Sequence, residues 1–480
     1  MAAKKKKPST GRTKFNPHQY QEDVLYRMDQ RGVLALLLDP GMGKTAICLE
    51  DFRRRYAIAD ASRALVVAPL RTCHGVWPLE IEKWYEFRKF DLRVAHGSGK
   101  KTARQVNAAE ITVINPEGLD WLVKQGEKIM PFDCLYVDES TLFKTASSKR
   151  SKNLYKIAHK INGGIPYRFI LTGTPAPNGV ADLYGQFGIL DPRILGSTLA
   201  SFRRDFKFIS RHAPWGTIWE PGKESADLIQ EAIAPHSVRL DATDHLSLPD
   251  MVMVKRLVTL PADARKIYDS LKEDMFADIA AGEIVATNPG VLTAKCRQVA
   301  NGAVYLSEFG EAVTEETRKI EYVHTAKCQA LGDLWEELGK KPLLVAYEFK
   351  HDLTMIKHYM KDKFKFTPRY IGGGATEEDV QQSITQWNAG ELPMLLVNPQ
   401  SAAHGLNLQA GGHHLCWYSL TFNLEHYIQL NGRLWRQGQK EGVFIHHLVA
   451  EKTVDEAIMK AVDRKAHSQR AIMTYLKEQR

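Results

Sequence analysis

Seven consecutive residues, Asp39-Pro40-Gly41-Met42-Gly43-Lys44-Thr45, carry the most concentrated chemistry of the chain. Glycines let successive backbone N–H groups turn inward around phosphate oxygens. A helix opening at Lys44 adds the partial positive charge of its N-terminus. In such a loop the Lys44 ammonium reaches the outer phosphates and the Thr45 hydroxyl ligates Mg²⁺, while Pro40, Gly41, Met42 and Gly43 form the cradle. The strict pattern has a glycine where Leu38 stands, so the match is to its latter half. Ninety-four residues later (138 minus 44), Cys134-Leu135-Tyr136-Val137 runs into Asp138-Glu139. An aspartate at a strand end holds Mg²⁺ through water, and the adjacent glutamate orients or deprotonates an attacking water. The two segments together specify nucleoside triphosphate hydrolysis.

These groups need strands to aim them. Val33–Leu38, Ala64–Ala68, Ile111–Ile114, Cys134–Val137 and Phe169–Leu171 are short runs rich in Val, Ile and Leu. Such runs read as buried parallel strands. The pattern returns at Leu343–Ala346, Met394–Val397, Leu415–Tyr418 and Val443–Leu448. Between the two stretches helical patterns dominate, as in Ala262–Ile279. Cys328, Leu331, Trp335 and Leu338 share one helical face, as do Val454, Ile458 and Val462, and both stripes read as core packing. The expected architecture is α/β, with two lobes joined by a helical segment.

A chain of 480 residues with 44% hydrophobic and 25% charged residues is neither disordered, collagenous nor a coiled-coil rod. Val33–Leu38 falls far short of the ~20 apolar residues of a membrane helix. Pro8, Ser9 and Thr10 follow Lys4–Lys7 where a secretory signal needs an apolar run. The six cysteines show no zinc spacing and read as buried thiols. Net charge is +9, but Lys4–Lys7, Arg12 and Lys14 supply six of it, leaving +3 for the rest. The body is thus only mildly basic. Arg53-Arg54-Arg55 reads as the solvated face of a helix. Trp215 and Trp219 read as packing against the first lobe. The pairs His413-His414 and His446-His447 alternate along strands, which is poor metal-ligand geometry.

Further segments, in order, resemble those of a Swi/Snf-like ATPase of helicase superfamily 2. Asn16-Pro17-His18-Gln19 resembles the adenine-reading glutamine motif, and Asp39–Thr45 the phosphate loop of that family. Val67-Ala68-Pro69-Leu70, with Trp77 following, and Ile114-Asn115-Pro116-Glu117 resemble its first DNA-contact motifs. Asp138-Glu139-Ser140 resembles its acidic box, with serine where alanine or glycine is usual. Leu171-Thr172-Gly173-Thr174-Pro175, then Asn178, resembles its coupling motif, and Arg297–Asn301 a helical-region signature. Ser401–Gln409 and Gln429–Gln439 resemble its fifth and sixth motifs.

The resemblance implies two RecA-like parallel-sheet lobes joined by a helical insertion. The bounds are a basic tail 1–14, an ATP-binding lobe 15–195, a helical region 196–324 and a second lobe 325–480. It implies ATP and Mg²⁺, with Lys44, Asp138, Glu139, Gln429, Arg433 and Arg436 as catalytic residues. Gln19, Gly405 and Asn407 join the loop in binding nucleotide, and Thr45 and Asp138 hold the metal. Arg71, Thr72, Asn115, Thr172, Thr174 and Ser401 are the implied nucleic-acid contacts. The implied activity is an ATP-dependent motor on double-stranded or branched DNA, monomeric and DNA-associated in the cytoplasm of a bacterial or phage-infected cell, with no membrane. Alternatives are a strand-separating helicase on DNA or RNA, and a non-cycling nucleotide-gated adaptor. The adaptor predicts a broken catalytic set, yet Lys44, Asp138, Glu139, Arg433 and Arg436 are all present.

Overall fold

A computed structural model describes residues 13–97, 99–129, 131–213, 216–280, 289–306, 319–402 and 406–478. The basic tail up to residue 12, Trp215 and Gly405 lie outside them. The chain divides into two compact units, crossing between Leu246 and Ser247 and again between His467 and Ser468, so the residues from Ser468 onward group with the first unit and not, as expected, with the second.

The first unit is built on β1 (Val33–Leu38), β2 (Ala64–Val67), β3 (Leu92–Val94), β4 (Ile111–Ile114), β5 (Cys134–Asp138), β6 (Tyr167–Leu171) and, after the hairpin β7 (Phe208–Ala213) and β8 (Gly216–Pro221), β9 (Ser237–Leu240). Seven of these form a parallel sheet in the order β3-β4-β2-β5-β6-β1-β9. Helices cover it, so β2 and β4 are buried at every residue and β1 from Leu34 to Leu38. On one face Leu37, Val67, Val137 and Ile170 meet Leu154, Leu183 and Phe187 from covering helices. Each such leucine contributes about 1.5–3 kcal/mol by burial. Arg53–Arg55 departs from its expectation, because Arg55 is 3% exposed. Its guanidinium bonds Asp51 at 3.2 Å and the Met28 carbonyl at 3.0 Å, and lies 3.9 Å from the Tyr167 ring centre.

The second unit contains β10 (Met251–Val258), the antiparallel pair β11 (Ala303–Tyr305) and β12 (Ile320–Tyr322), β13 (Leu343–Ala346), β14 (Arg369–Ile371), β15 (Met394–Val397), β16 (His414–Trp417) and β17 (Val443–Ala450). Six form a second parallel sheet, β10-β17-β16-β13-β15-β14. Both α/β units thus carry the expected parallel sheets.

Residues 196–324 do not form the separate helical region that was expected. β9 completes the first sheet and β10 the second, and the unit boundary falls inside the segment. Helices are present there, including Ala262–Ala280. β9, Ser-Val-Arg-Leu, carries no apolar run, while β10 begins with the apolar run Met251–Val254, which the expectation of a helical region passed over. Trp219 sits on β8, 38% exposed, with the Arg203 guanidinium 4.7 Å from its ring.

A charged network ties the second unit together. Lys327 is fully buried, and its Nζ donates to Asp455 Oδ2 at 2.7 Å, Asn301 Oδ1 at 2.8 Å and the Tyr418 carbonyl at 3.1 Å. Removing one partner of a buried pair costs about 3–5 kcal/mol, while replacing both is far milder. Lys327→Met is therefore expected to lower the urea midpoint of the protein sharply, and Lys327→Met with Asp455→Leu to recover most of the loss. Equal midpoints for wild type and the single variant would show that the pair contributes nothing.

Candidate active site

Sheet order brings the chemistry together. β6 lies between β1 and β5, and the three run parallel. Their C-terminal ends therefore deliver Asp39–Thr45, Thr172–Thr174 and Asp138–Glu139 side by side, where parallel α/β sheets place their ligands. Gly41 and Gly43 have φ of 88° and 75°, and Gly43 caps the helix Lys44–Ala57. The positive φ at Gly43 requires glycine, and an added Cβ there would also stand 2.5 Å from Gln21 Nε2 and displace that side chain.

Lys44 Nζ donates to the carbonyls of Leu38 at 2.8 Å and Asp39 at 3.1 Å. Burial lowers its pKa, against the pull of Glu139, Asp138 and Asp39. Burial, then the neighbouring Glu139 charge, raises Asp138 to about 6, while Lys44 and a 3.2 Å bond from Trp77 Nε1 oppose the shift. Glu139 is the one residue of the site in the left-handed region without being glycine, with φ of 57°. Its Oε1 accepts from Thr172 Oγ1 at 3.0 Å and Thr141 Oγ1 at 3.2 Å. Two recessed carboxylates beside a lysine and the Thr45 hydroxyl are a donor set suited to a divalent cation with a polyphosphate.

Several residues here carry no signal in the sequence reading. The glutamine at the loop is Gln21, not Gln19. Gln21 is 4% exposed and donates to the Met42 carbonyl at 3.3 Å. Gln19 is exposed and bonds Asp23 at 3.1 Å. Tyr20 Oη also donates to the Met42 carbonyl, at 3.2 Å, and its ring lies against His245 at 5.1 Å. Arg239 of β9 holds Asp39 Oδ1 at 2.7 Å and the Leu37 carbonyl at 2.9 Å, and Asp39 Oδ2 accepts from the Ala242 amide at 3.0 Å. Ser140 donates to Gln186 Oε1 at 2.7 Å, and Gln186 Nε2 donates to the Pro175 carbonyl at 2.6 Å. The serine in the acidic box thus joins that box to the Thr172–Pro175 segment.

The expected nucleic-acid contacts separate by burial. Thr72, Thr172 and Thr174 are buried at 6%, 0% and 1% exposure and are not surface groups. Thr172 turns inward, donating to Glu139 while its Oγ1 accepts from the Thr174 amide at 3.0 Å. Arg71 is exposed, and Asn115 and Ser401 are half-buried. In the second unit, Arg433 Nη1 donates to the Leu406 carbonyl at 3.3 Å and Arg436 Nη1 to Asn407 Oδ1 at 2.5 Å. The fifth and sixth motif segments are therefore bonded to each other. Gln429 is 5% exposed and donates to Glu425 at 3.4 Å. His414 and His446 face each other at 3.4 Å across β16 and β17, both held near pKa 4 by burial. Among the described residues no three metal-ligating side chains cluster.

Comparison with known proteins matches residues 20–302 to the SNF2-related domain and residues 326–438 to the helicase conserved C-terminal domain. Protein p41 of Acyrthosiphon pisum secondary endosymbiont phage 1 is 34% identical over 97% of this chain and 98% of its own length. The human DNA annealing helicase and endonuclease ZRANB3 is 23% identical over 96% of this chain, which spans 40% of that relative. The Sulfolobus solfataricus SWI2/SNF2 ATPase core in complex with double-stranded DNA aligns over 97% of this chain and 95% of its own, with 18% identity and a TM-score of 0.44.

The Asp138 shift has a measurable consequence without metal. Its carboxyl ionises near 3.8 in an ordinary setting and near 6 in the fold. The folded protein holds the extra proton between those values, so stability from this group is full below about pH 4 and falls as pH rises through about 6. In thermal melts with EDTA, Asp138→Asn is expected to gain on wild type progressively from pH 4 to pH 7. A gap that does not change with pH would remove the assigned shift.

Proposed function

The chain belongs to the SNF2-related family of helicase superfamily 2 ATPases, and from that premise we propose that it is an ATP-driven motor on double-stranded DNA. Its enzyme class is DNA-dependent ATP hydrolysis. One observation carries the finer reading: the Thr172 hydroxyl joins the Glu139 carboxylate to the segment that runs on through Thr174 and Pro175. Movement of that segment reaches the group that activates water. Gln186, bonded to both Ser140 and Pro175, adds a second link between the same two segments.

In this reading the loop amides and Lys44 hold the triphosphate, and Gln21 rather than Gln19 stands at the loop. Thr45 and Asp138 hold Mg²⁺, which neutralises charge on the outer phosphates when bound. Glu139 accepts the proton of the attacking water as the bond from the γ-phosphorus to ADP breaks. Arg433 and Arg436 supply charge to the transition state, an effect worth ~10³–10⁵ in rate. They belong to the second unit, so turnover requires the two units to meet around one triphosphate, and nucleotide shifts the balance between two arrangements. Arg71, Asn115 and Ser401 remain the candidate backbone contacts, sequence-blind by nature. The endonuclease activity named for ZRANB3 belongs to a protein of which this chain spans two fifths, and it is not carried over. The phage relative supports action in a bacterial or phage-infected cell.

ATPase activity is expected to rise severalfold with duplex DNA, and the protein to displace a triplex strand without opening a fork. Fork opening, or equal stimulation by RNA, would favour a strand-separating helicase. Glu139→Gln is expected to keep ATP binding and lose ~10²-fold or more in turnover. Thr172→Val should lower kcat about tenfold with KM nearly unchanged, and a pure KM effect would detach Thr172 from the chemistry. Arg436→Ala should lose ~10³-fold in kcat at near-normal nucleotide affinity, and a loss confined to affinity would end its assigned role.

A further inference from the structure

Away from the strand ends, the first unit has a pocket of about 270 Å³ between the helices Lys149–His159 and Asp182–Leu190. Tyr155 and Tyr184 line it, together with Gly185 and Gly188. Both rings are braced. Tyr155 lies 4.7 Å from the His159 ring, and Tyr184 stacks on Phe202 at 4.6 Å. His159 Nε2 and the Gly188 carbonyl, 3.0 Å apart, tie the two helices, so the pocket is a fixed feature of the unit.

Lys152, Lys156 and Lys160 line the same pocket at four-residue spacing. All three are exposed, and among the described residues none is in an ion pair. Like charges four apart on a helix repel one another. Lys149, the first residue of the same helix, is by contrast paired with Asp120 at 3.1 Å, a carboxylate it shares with Lys124. A cationic row beside an aromatic-walled recess combines a charge requirement with an apolar one.

We propose that this pocket docks an acidic segment of a partner protein, one large apolar side chain entering between Tyr155 and Tyr184 while flanking carboxylates meet Lys152, Lys156 and Lys160. The recess decides against nucleic acid. A duplex backbone satisfies lysines on any convex face, but its bases are stacked inside and offer nothing to fill an apolar pocket. A peptide brings both groups on adjoining residues. The pocket uses none of the residues assigned to hydrolysis, so docking leaves the motor free to turn over.

Gly188 supplies a clean probe. An added Cβ there meets nothing within 4 Å, whereas one at Gly185 would meet the Phe143 carbonyl at 2.4 Å. Gly188→Phe thus fills the pocket from within a helix that tolerates a side chain. The test is fluorescence anisotropy of the full chain with a labelled peptide of four glutamates, one phenylalanine and four glutamates. Wild type is expected to bind it. Gly188→Phe, and separately Lys152→Glu/Lys156→Glu/Lys160→Glu, should each weaken binding about tenfold or more. Replacing the peptide's phenylalanine by serine, or its glutamates by glutamines, should do the same, with duplex-stimulated ATPase of Gly188→Phe unchanged. Absence of binding to wild type, or binding indifferent to Gly188→Phe or to the serine peptide, would overturn the proposal. So would a lysine-reversed protein that loses duplex affinity but keeps the peptide, which would assign this face to nucleic acid.

Discussion

Asp138 and Glu139 are consecutive carboxylates at the end of one buried strand, with the Lys44 ammonium as their counter-charge, and the arrangement of the first unit follows from bringing these three partly buried groups together. Desolvation acts against two of these charges: it depresses Lys44 and raises Asp138 to about 6. The sheet resolves this by setting β6 between β5 and β1, so that the lysine and the carboxylates arrive on strands that are neighbours of a common neighbour. Thr172, at the end of that intervening strand, uses the space to hydrogen-bond Glu139. The left-handed backbone at Glu139 costs roughly 1–2 kcal/mol. Two hydroxyls, from Thr141 and Thr172, hold the side chain that this strain aims.

A second layer of contacts binds the phosphate loop to the segment that leaves the first unit. Arg239 and the Ala242 amide hold opposite oxygens of Asp39, and His245 lies against Tyr20, whose hydroxyl holds the Met42 carbonyl. The start of the loop at Asp39 and its middle at Met42 are thus registered against residues 239–245, immediately before the chain crosses at Leu246 into the second unit. β9 contributes only four residues to the sheet, yet it carries the arginine that fixes the first loop residue. Its value lies in that placement more than in the apolar area it buries.

How much of this was legible follows from the kind of signal involved. Central parallel strands are buried on both faces, so Ile111–Ile114, Leu343–Ala346 and Met394–Val397 match the observed strands residue for residue. The edge strands β3 and β14 have three residues each, too few for an apolar run to announce them, whereas β10 opens on the apolar run Met251–Val254 and was legible but passed over. The placement of the glycine loop and the acidic pair at neighbouring strand ends was legible because each is contiguous in sequence and follows a buried strand. Gln21, Arg239 and Gln186 were not, because each acts across 11 to 202 residues through a hydrogen bond that no spacing encodes. Thr172 and Thr174 were assigned to a surface by motif position alone, which does not specify the direction of a side chain. Arg55 fails for the same reason: three adjacent arginines on a helix point three ways, and one of them points inward.

In the proposed function Lys44 must exchange its present partners for phosphate oxygens, and the layout favours that exchange. Its nearest preceding acid, Asp39, is saturated by Arg239 and the Ala242 amide, so the ammonium rests on the neutral carbonyls of Leu38 and Asp39 instead of on that carboxylate. A buried lysine clamped directly by Asp39 would have to break a desolvated ion pair before reaching a phosphate, a step costing several kcal/mol. Exchanging two carbonyls for phosphate oxygens replaces neutral acceptors by charged ones and strengthens the bonds it makes. Arg239 thereby acts on the lysine without touching it: by occupying Asp39 it keeps the cation of the loop buried, oriented and exchangeable. That condition is needed at the start of every turnover of an enzyme that must bind and release its nucleotide repeatedly.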